Sequence, residues 1–331
     1  MDMRPIRRQV MGLAATLCLI PLLGLQAAHA QAEWPKRTIK VIVPYPAGGS
    51  ADAMGRMVAN KLGKALKGSV VVENMPGGAT VPGALTTLRD PADGHTLFMA
   101  SDNTLNVNRW LLKDVRYDGD RDFTPVTVLN TYPHWLIVNP QGPYKSLDDL
   151  VKAIRASPGK VSISVNTIGG AAHLALDNWR RQNGLHFEIV PYRGSPPAIT
   201  DLIGGHTDAH VDVVGSSIAH ARGGRVLPVA VLQGTPVREF PNAVVQDPKD
   251  PKALLVQSNL SVVMRTGTPQ AVLDKIYAVL QTSVKDEDFA NTLTMLSLAP
   301  VLLEPAKAKV FLHQETQRYG VLVEKSGLEK Q

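Results

Sequence analysis

Short runs of β-branched residues alternate along this chain with stretches of helical hydrophobic spacing. The run at 39–43 ends at Pro44, and apolar residues then recur three and four positions apart from Met54 to Leu66. The same order of strand and helix returns at 70–88 and again between 161 and 232. Such alternation predicts parallel sheets that are covered by helices on both faces, so we expect an α/β fold.

The length of the chain predicts two domains. It has 331 residues, of which 44% are hydrophobic and 19% charged, a composition typical of globular proteins. Breaks near Asn139-Pro140 and in the turn-rich stretch before Ser258 divide it. Because the C-terminal helices would return to the first part, we predict one lobe from 31–138 plus 258–331 and a second lobe at 139–257.

The N-terminal thirty residues have the pattern of a secretory signal. A cluster of Arg4, Arg7 and Arg8 precedes an apolar stretch, and Ala28-His29-Ala30 places small residues before a cleavage site. We therefore predict a signal peptide at 1–30, cleaved after Ala30, and a periplasmic mature protein. A transmembrane anchor is the alternative, and the Arg7-Arg8 pair leaves twin-arginine export open.

The mature chain has few features that suggest a membrane or nucleic-acid partner. The formal net charge of the whole chain is +6, but the basic residues are dispersed and form no stripe, so we expect no nucleic acid. After the leader, the apolar runs are too short to span a bilayer. Cys18 is the only cysteine and lies in the leader, so no disulfide is expected. We expect a monomer that does not span the membrane.

Loops after the predicted strands hold the candidate ligand-binding residues. Ligands of α/β sheets bind beyond the carboxyl ends of the strands, and glycines at a helix start let backbone N–H groups approach an anion. The candidates, loop by loop along the chain, are Tyr45, Ala47, Gly48, Gly49, Ser50 and Asp52; Ser101, Asn103 and Thr104; Asn166, Gly169, Gly170 and His173; Tyr192 and Arg193; and Asp212 at the end of a later strand.

Residue chemistry suggests a role for several of these candidates. Ser50 is a predicted helix N-cap, and Asp52 suits the positive end of the helix dipole. Tyr192 is able to stack on or hydrogen-bond a ligand, and Arg193 is able to neutralise a carboxylate. The alternatives are tight turns, capping side chains, a packed His173 and an exposed Arg193.

The chain carries no standard signature of a metal site or an enzyme. Asp208, His210 and Asp212 would share one face of a strand. Alternate residues on a strand lie ~7 Å apart, which is too far for all three side chains to bind one metal ion well. No nucleophile elbow, zinc-protease helix, P-loop or dinucleotide fingerprint is present. We therefore predict no cofactor, no metal and no catalytic residue. A secreted enzyme would have to use Asp212 and His173 as its acid–base pair.

Short motifs follow one another across most of residues 34–232. They are Trp34-Pro35-Lys36-Arg37, Ile42-Val43-Pro44-Tyr45-Pro46-Ala47-Gly48-Gly49-Ser50-Ala51-Asp52, Val72-Glu73-Asn74-Met75-Pro76-Gly77-Gly78, Asp93-Gly94-His95-Thr96-Leu97, Asp122-Phe123-Thr124-Pro125-Val126, His173-Leu174-Ala175, Val190-Pro191-Tyr192-Arg193-Gly194, Asp201-Leu202-Ile203-Gly204-Gly205 and Gly224-Arg225-Val226. In this order and spacing the chain resembles the Bug-type (TctC-like) substrate-binding receptors of tripartite tricarboxylate transporters.

The resemblance implies a type II periplasmic binding-protein fold, in which two crossover strands join two α/β lobes around a ligand cleft. It also implies a small carboxylate ligand, held by the loops at 48–50 and 101–104, and delivery to membrane transporter subunits. Asp212 matches the aspartate that commonly ends the next strand. The chain departs from the family pattern at 235–256 and 168–172. A sensor for a signalling partner and a secreted enzyme on this fold are the alternatives.

Overall fold

The computed structural model describes residues 34–330, so the predicted signal peptide and its cleavage site lie outside the described residues. The strands are β1 (Ile39–Val43), β2 (Val70–Asn74), β3 (Thr96–Ser101), β4 (Phe123–Tyr132), β5 (His134–Val138), β6 (Ser162–Val165), β7 (Glu188–Pro191), β8 (Ala209–Val213), β9 (Leu227–Val231), β10 (Val244–Val245), β11 (Ser258–Arg265) and β12 (Ala299–Pro300).

The helices follow the strands in the predicted alternation. They are α1 (Ser50–Leu66), α2 (Val81–Arg89), α3 (Asn108–Leu111), α4 (Gly119–Asp122), α5 (Leu147–Ala156), α6 (Ala171–Asn183), α7 (Ser195–Ile203), α8 (Val214–Arg222), α9 (Gln270–Ser283), α10 (Glu287–Met295) and α11 (Pro305–Ser326), with a π-helical turn at Asn103–Val107. Within residues 34–330, every helix is too short or too polar to cross a lipid bilayer.

Two six-stranded sheets form the framework of the molecule, and we call the parts built around them the first and second lobes. Their strand orders are β12-β4-β11-β3-β1-β2 and β10-β9-β5-β8-β6-β7. In each sheet three adjacent strands pair in parallel, namely β3-β1-β2 and β8-β6-β7, and β9 and β10 are also a parallel pair. The sheets are nevertheless mixed, because β11 pairs antiparallel with β3 and β4, and β5 with β8 and β9.

The antiparallel strands are those that carry the chain from one sheet to the other. Only Pro133 separates β4 in the first sheet from β5 in the second, and β11 returns to the first sheet at Ser258. Two neighbouring parallel strands must be joined by a crossover connection, usually a helix. A strand that enters directly from the neighbouring lobe has no such connection, so it is able to pair antiparallel. The chain therefore passes from the first sheet to the second at Pro133, whereas the predicted lobe boundary followed 138.

Both lobes contribute to an apolar cluster beside the crossovers. Leu174 of α6 packs there against Leu111 of α3 and against Tyr319 and Val323 of α11, and all four side chains are buried. Asn178 also donates a 3.4 Å hydrogen bond to the carbonyl oxygen of Leu322. The C-terminal helix thus joins the first lobe to the second along this side.

Candidate functional site

A cavity of about 60 Å³ lies where the carboxyl ends of the parallel strands of both lobes meet. Six of the predicted residues line it, and they are Tyr45, Gly49, Ser50, Ser101, Asn103 and Asn166. The other lining residues are Pro46, Ala51, Asp102, Tyr132, His134, Thr167, Ala171, Ala172, Ser195, Pro196, Val213, Ser216, Ser258 and Asn259. The cavity thus draws on both lobes and on both crossovers.

The loop before α1 is shaped by Asp52. This side chain is 4% exposed and accepts hydrogen bonds from the Gly48 N–H, Arg56 Nε and Asn74 Nδ2, each at 3.0 Å. Burial alone would raise the pKa of Asp52, but these hydrogen bonds outweigh it and lower the pKa. Gly48 has a φ of 86°, a conformation that favours glycine. Asp52 therefore orders the loop and does not line the cavity.

The helix that follows begins at Ser50, one residue earlier than predicted. Gly49 is the N-cap of α1, and Ser50 is its first residue, so the prediction that Ser50 caps this helix is wrong. The Ser50 N–H and hydroxyl instead face the second lobe, where Ser216 accepts from the N–H at 3.2 Å. The first turn of α1 is consequently part of the contact between lobes.

Four helices direct their N-terminal ends at the cavity. Residues of the first turn of α1, α6, α7 and α8, or of their caps, are among the lining residues. N–H groups at a helix start carry partial positive charge and bind anions, although α7 has prolines at 196 and 197 and lacks these groups there. Among the lining residues that the structure describes, none is lysine or arginine. An anion held here would therefore be bound by backbone amides and hydroxyl groups.

The two lobes touch each other around the cavity. The hydroxyl oxygens of Ser50 and Ser216 lie 3.0 Å apart, and Asn103 Nδ2 donates to the Ile168 carbonyl at 3.2 Å. Glycine is required at close approaches: a Cβ atom on Gly215 would lie 2.5 Å from the carbonyl oxygen of Leu296. The lobes are therefore in mutual contact on both sides of the cavity.

Asp102, which follows β3, and polar side chains of the crossovers form the floor of the cavity. Asp102 is 3% exposed and accepts from the Asn259 N–H at 2.7 Å. Its burial and the nearby Glu315 raise the pKa of Asp102 to about 6. His134 Nδ1 lies 3.0 Å from the Tyr132 carbonyl, which accepts only, so this nitrogen carries the proton. Burial lowers the pKa of His134 to about 4, and its neutral Nε2 is left as an acceptor.

In the second lobe, Asp212 supports the site from behind. It is fully buried, accepts from Ser195 Oγ at 2.5 Å and lies 3.6 Å from His210 Nε2. Burial would raise the pKa of Asp212, but the neighbouring His210, Ser195 and Ser217 side chains lower it. Asp212 fixes Ser195 at the cavity wall. Across residues 34–330, no three His, Cys, Asp or Glu side chains are grouped as a metal site.

Ten predicted residues lie off the cavity, namely Ala47, Gly48, Asp52, Thr104, Gly169, Gly170, His173, Tyr192, Arg193 and Asp212. The Tyr192 hydroxyl donates to Asp201 at 2.6 Å, and His173 Nδ1 accepts from the Gly169 N–H at 2.8 Å. Arg193 is exposed, and its side chain lies against Gly77 of the first lobe. Neither Arg193 nor the Asp212–His173 pair is therefore brought to the cavity.

Residues 54–328 match the model of the tripartite tricarboxylate transporter family receptor. The chain belongs to this receptor family. It is 28% identical over 316 residues to the protein BugT of Bordetella pertussis, an alignment that covers 95% of this receptor and 97% of BugT.

Solved structures confirm the predicted two-lobed fold of the receptor. The periplasmic binding protein BugD matches with a TM-score of 0.84 and 26% identity, over 90% of this chain and 100% of BugD. An R. palustris protein solved with adipate matches with a TM-score of 0.85 and 24% identity, over 90% of this chain and 100% of that chain. The receptor thus has a type II periplasmic binding-protein fold.

The missed cavity residues carried weak signals in the sequence. Asp102 and Ser195 belong to loops that hold predicted site residues, but the side chain that faces inward depends on the backbone of each turn. Ser216 lies in the helix that follows β8, beyond the predicted Asp212. His134 and Ser258 lie on crossover strands whose neighbours are distant in sequence.

Proposed function

We propose that this receptor captures a small organic acid in the cavity between its lobes and delivers it to membrane transporter subunits. The observation that carries the proposal is the convergence of the N-terminal ends of α1, α6 and α8, together with Ser195 of α7, on a cavity whose described lining residues include no lysine or arginine. Backbone amides aimed at one point suit a carboxylate. The structural relative solved with adipate supports the same class of ligand.

The size of the cavity favours a small ligand. Its volume of about 60 Å³ corresponds to about four to six water molecules on the same measure. One helix N-terminus contributes about 0.3–1 kcal/mol, and up to ~2 kcal/mol when partly buried. Micromolar binding needs about 8 kcal/mol, so amides from both lobes must act together.

Closure of the lobes follows from this requirement. A ligand that contacts both lobes binds the closed arrangement more strongly than an open one and shifts the population toward it. The transporter would then distinguish the loaded receptor by its closed surface. We further propose that the signal peptide at 1–30 directs the chain to the periplasm and that the mature receptor acts as a monomer.

Calorimetric titration with a panel of mono-, di- and tricarboxylates tests the proposal. We expect saturable binding of at least one acid, together with a ligand-dependent decrease in the radius of gyration measured by X-ray scattering. The matched control is Gly215→Ala, in which the added Cβ would meet Leu296 and keep the lobes apart. If no acid binds the wild-type receptor, the proposed function is wrong.

A further inference from the structure

One buried acid lies at the floor of the cavity, whose described lining residues include no lysine or arginine. Asp102 lines the cavity and is 3% exposed. Its Oδ2 accepts from the Asn259 N–H at 2.7 Å, and its Oδ1 accepts from Asn106 Nδ2 at 3.0 Å. A carboxylate at this position opposes a second anion, so it constrains which acids fit.

The charged side chains next to Asp102 do not neutralise its negative charge. The charged side chains that act on it most strongly are Glu315 and Arg318. These two are already paired, with Arg318 donating to Glu315 at 2.7 and 2.9 Å. Asn259 Nδ2 lies between the acids, 3.4 Å from Asp102 and 3.3 Å from Glu315. Two carboxylates and one guanidinium leave a net negative charge under the floor.

The other floor groups add acceptors. His134 donates from Nδ1 to the Tyr132 carbonyl, and its Nε2 lies 3.5 Å from Ser258 Oγ. Asp102 also contributes electrostatically to the raised pKa of Tyr45, after burial as the main cause, so its charge reaches the cavity lining. The positive ends of the helices and the acidic floor thus form opposite poles of one cavity.

We propose that the ligand is a carboxylate that also bears an ammonium group, with the carboxylate at the helix N-termini and the ammonium at Asp102. This inference rests on the proposed function, because it assigns the second end of the same ligand. An ammonium supplies the charge that the cluster lacks and donates hydrogen bonds to a carboxylate. A dicarboxylate would place its second anion against Asp102, which costs affinity in a desolvated site.

Matched ligand pairs test the assignment. Succinate is compared with β-alanine, and glutarate with γ-aminobutyrate, since each pair shares one carboxylate and its methylene chain and differs at the other end. For the wild-type receptor at neutral pH, we expect the ammonium member of at least one pair to bind about tenfold more tightly than its dicarboxylate partner. In Asp102→Asn we expect that preference to fall by about tenfold.

Two further variants keep the test decisive. Asp274→Asn makes the same charge change on an exposed position of α9 and should leave the preference as in the wild type. If Asp102→Asn does not fold, Glu315→Gln frees Arg318 to offset Asp102, and the ammonium preference should again decrease.

The outcomes separate the two proposals. Binding of a carboxylate with no ammonium preference in either pair, or a preference unchanged in Asp102→Asn and Glu315→Gln, overturns this inference and leaves the proposed function standing. Absence of binding by every carboxylate tested overturns both.

Discussion

Ser50 and Ser216 face each other across the two lobes, with their hydroxyl oxygens 3.0 Å apart. The Ser50 N–H also donates to Ser216 Oγ at 3.2 Å. Each serine lies in the first turn of its helix, α1 in the first lobe and α8 in the second. The contact between the lobes is therefore made beside the amides that we assign to the ligand.

Ser216→Ala should weaken ligand binding without unfolding the receptor. The change removes a hydrogen bond that exists only when the lobes meet, and a neutral hydrogen bond of this kind contributes about 1 kcal/mol, or about fivefold in affinity. Calorimetric titration with the best acid of the panel measures the effect. Ser157→Ala, on an exposed serine, is the control. An affinity equal to that of the wild type would show that this contact does not contribute to closure.

Gly215→Ala should separate closure from folding. Alanine is a better helix former than glycine, so the melting temperature should stay equal or increase. The added Cβ would lie 2.5 Å from the Leu296 carbonyl and 2.8 Å from Ser50 Oγ, so the lobes cannot meet. We expect no ligand-induced decrease in the radius of gyration.

Gly223→Ala is the control for this variant, because its nearest atom would lie at an ordinary 3.4 Å. It should compact on ligand binding as the wild type does. Compaction of Gly215→Ala to the same extent would refute the assigned closed contact.

Asp52→Ala should destabilise the first lobe. The Gly48 N–H and Asn74 Nδ2 would lose their charged acceptor, and hydrogen bonds to charged groups contribute about 1.5–3 kcal/mol each. Because the loop relaxes in part, we expect unfolding in urea to require about 2 kcal/mol less. Asp274→Ala, on an exposed helical position, should change stability by less than ~0.5 kcal/mol. Equal stability of the two variants would contradict this role of Asp52.

The pH dependence of stability should reflect His134 and Asp102 with opposite signs. The pKa of His134 falls from 6.5 to about 4 on folding, so the unfolded chain binds the extra proton and stability rises with pH across that interval. The pKa of Asp102 rises from 3.8 to about 6, so its contribution is largest at low pH and is lost as pH increases through that value.

Melting temperatures of variants between about pH 4 and pH 7 check these signs. As the pH is lowered, the melting temperature of His134→Gln should decrease less than that of the wild type. The melting temperature of Asp102→Asn should decrease more than that of the wild type. His206→Gln, on an exposed position, is the control and should follow the wild type. A His134→Gln curve parallel to that of the wild type would contradict the buried neutral imidazole.

Local patterns predicted the parallel part of the fold and six of the residues that line the cavity. The β-branched run at Ile39–Val43 and the spacing within Ser50–Leu66 are complete signals, because each element buries one continuous apolar surface. The crossover strand β5 is fully buried, but nothing nearby shows which sheet it joins; its partners β8 and β9 are far along the chain.

The motifs predicted which loops form the site, but not which residues of those loops face the cavity. Ser101, Asp102 and Asn103 all line the cavity, whereas Thr104 turns away to Thr80 at 2.7 Å, because a π-helical turn sets their directions. Arg193 has the right charge to bind a carboxylate, but its side chain lies against Gly77 of the other lobe, outside the cavity. Such choices depend on how the lobes meet, which no short motif encodes.

The absence of lysine and arginine from the cavity lining bears on how this receptor could diversify. A backbone amide belongs to every residue except proline, so substitution of the side chains around the helix starts leaves the anion-binding groups in place. Changes at floor positions such as Asp102 would alter which acid is preferred while the general affinity for acids persists. Related receptors could thus come to prefer different acids through single substitutions, while the backbone amides that bind the carboxylate stay the same.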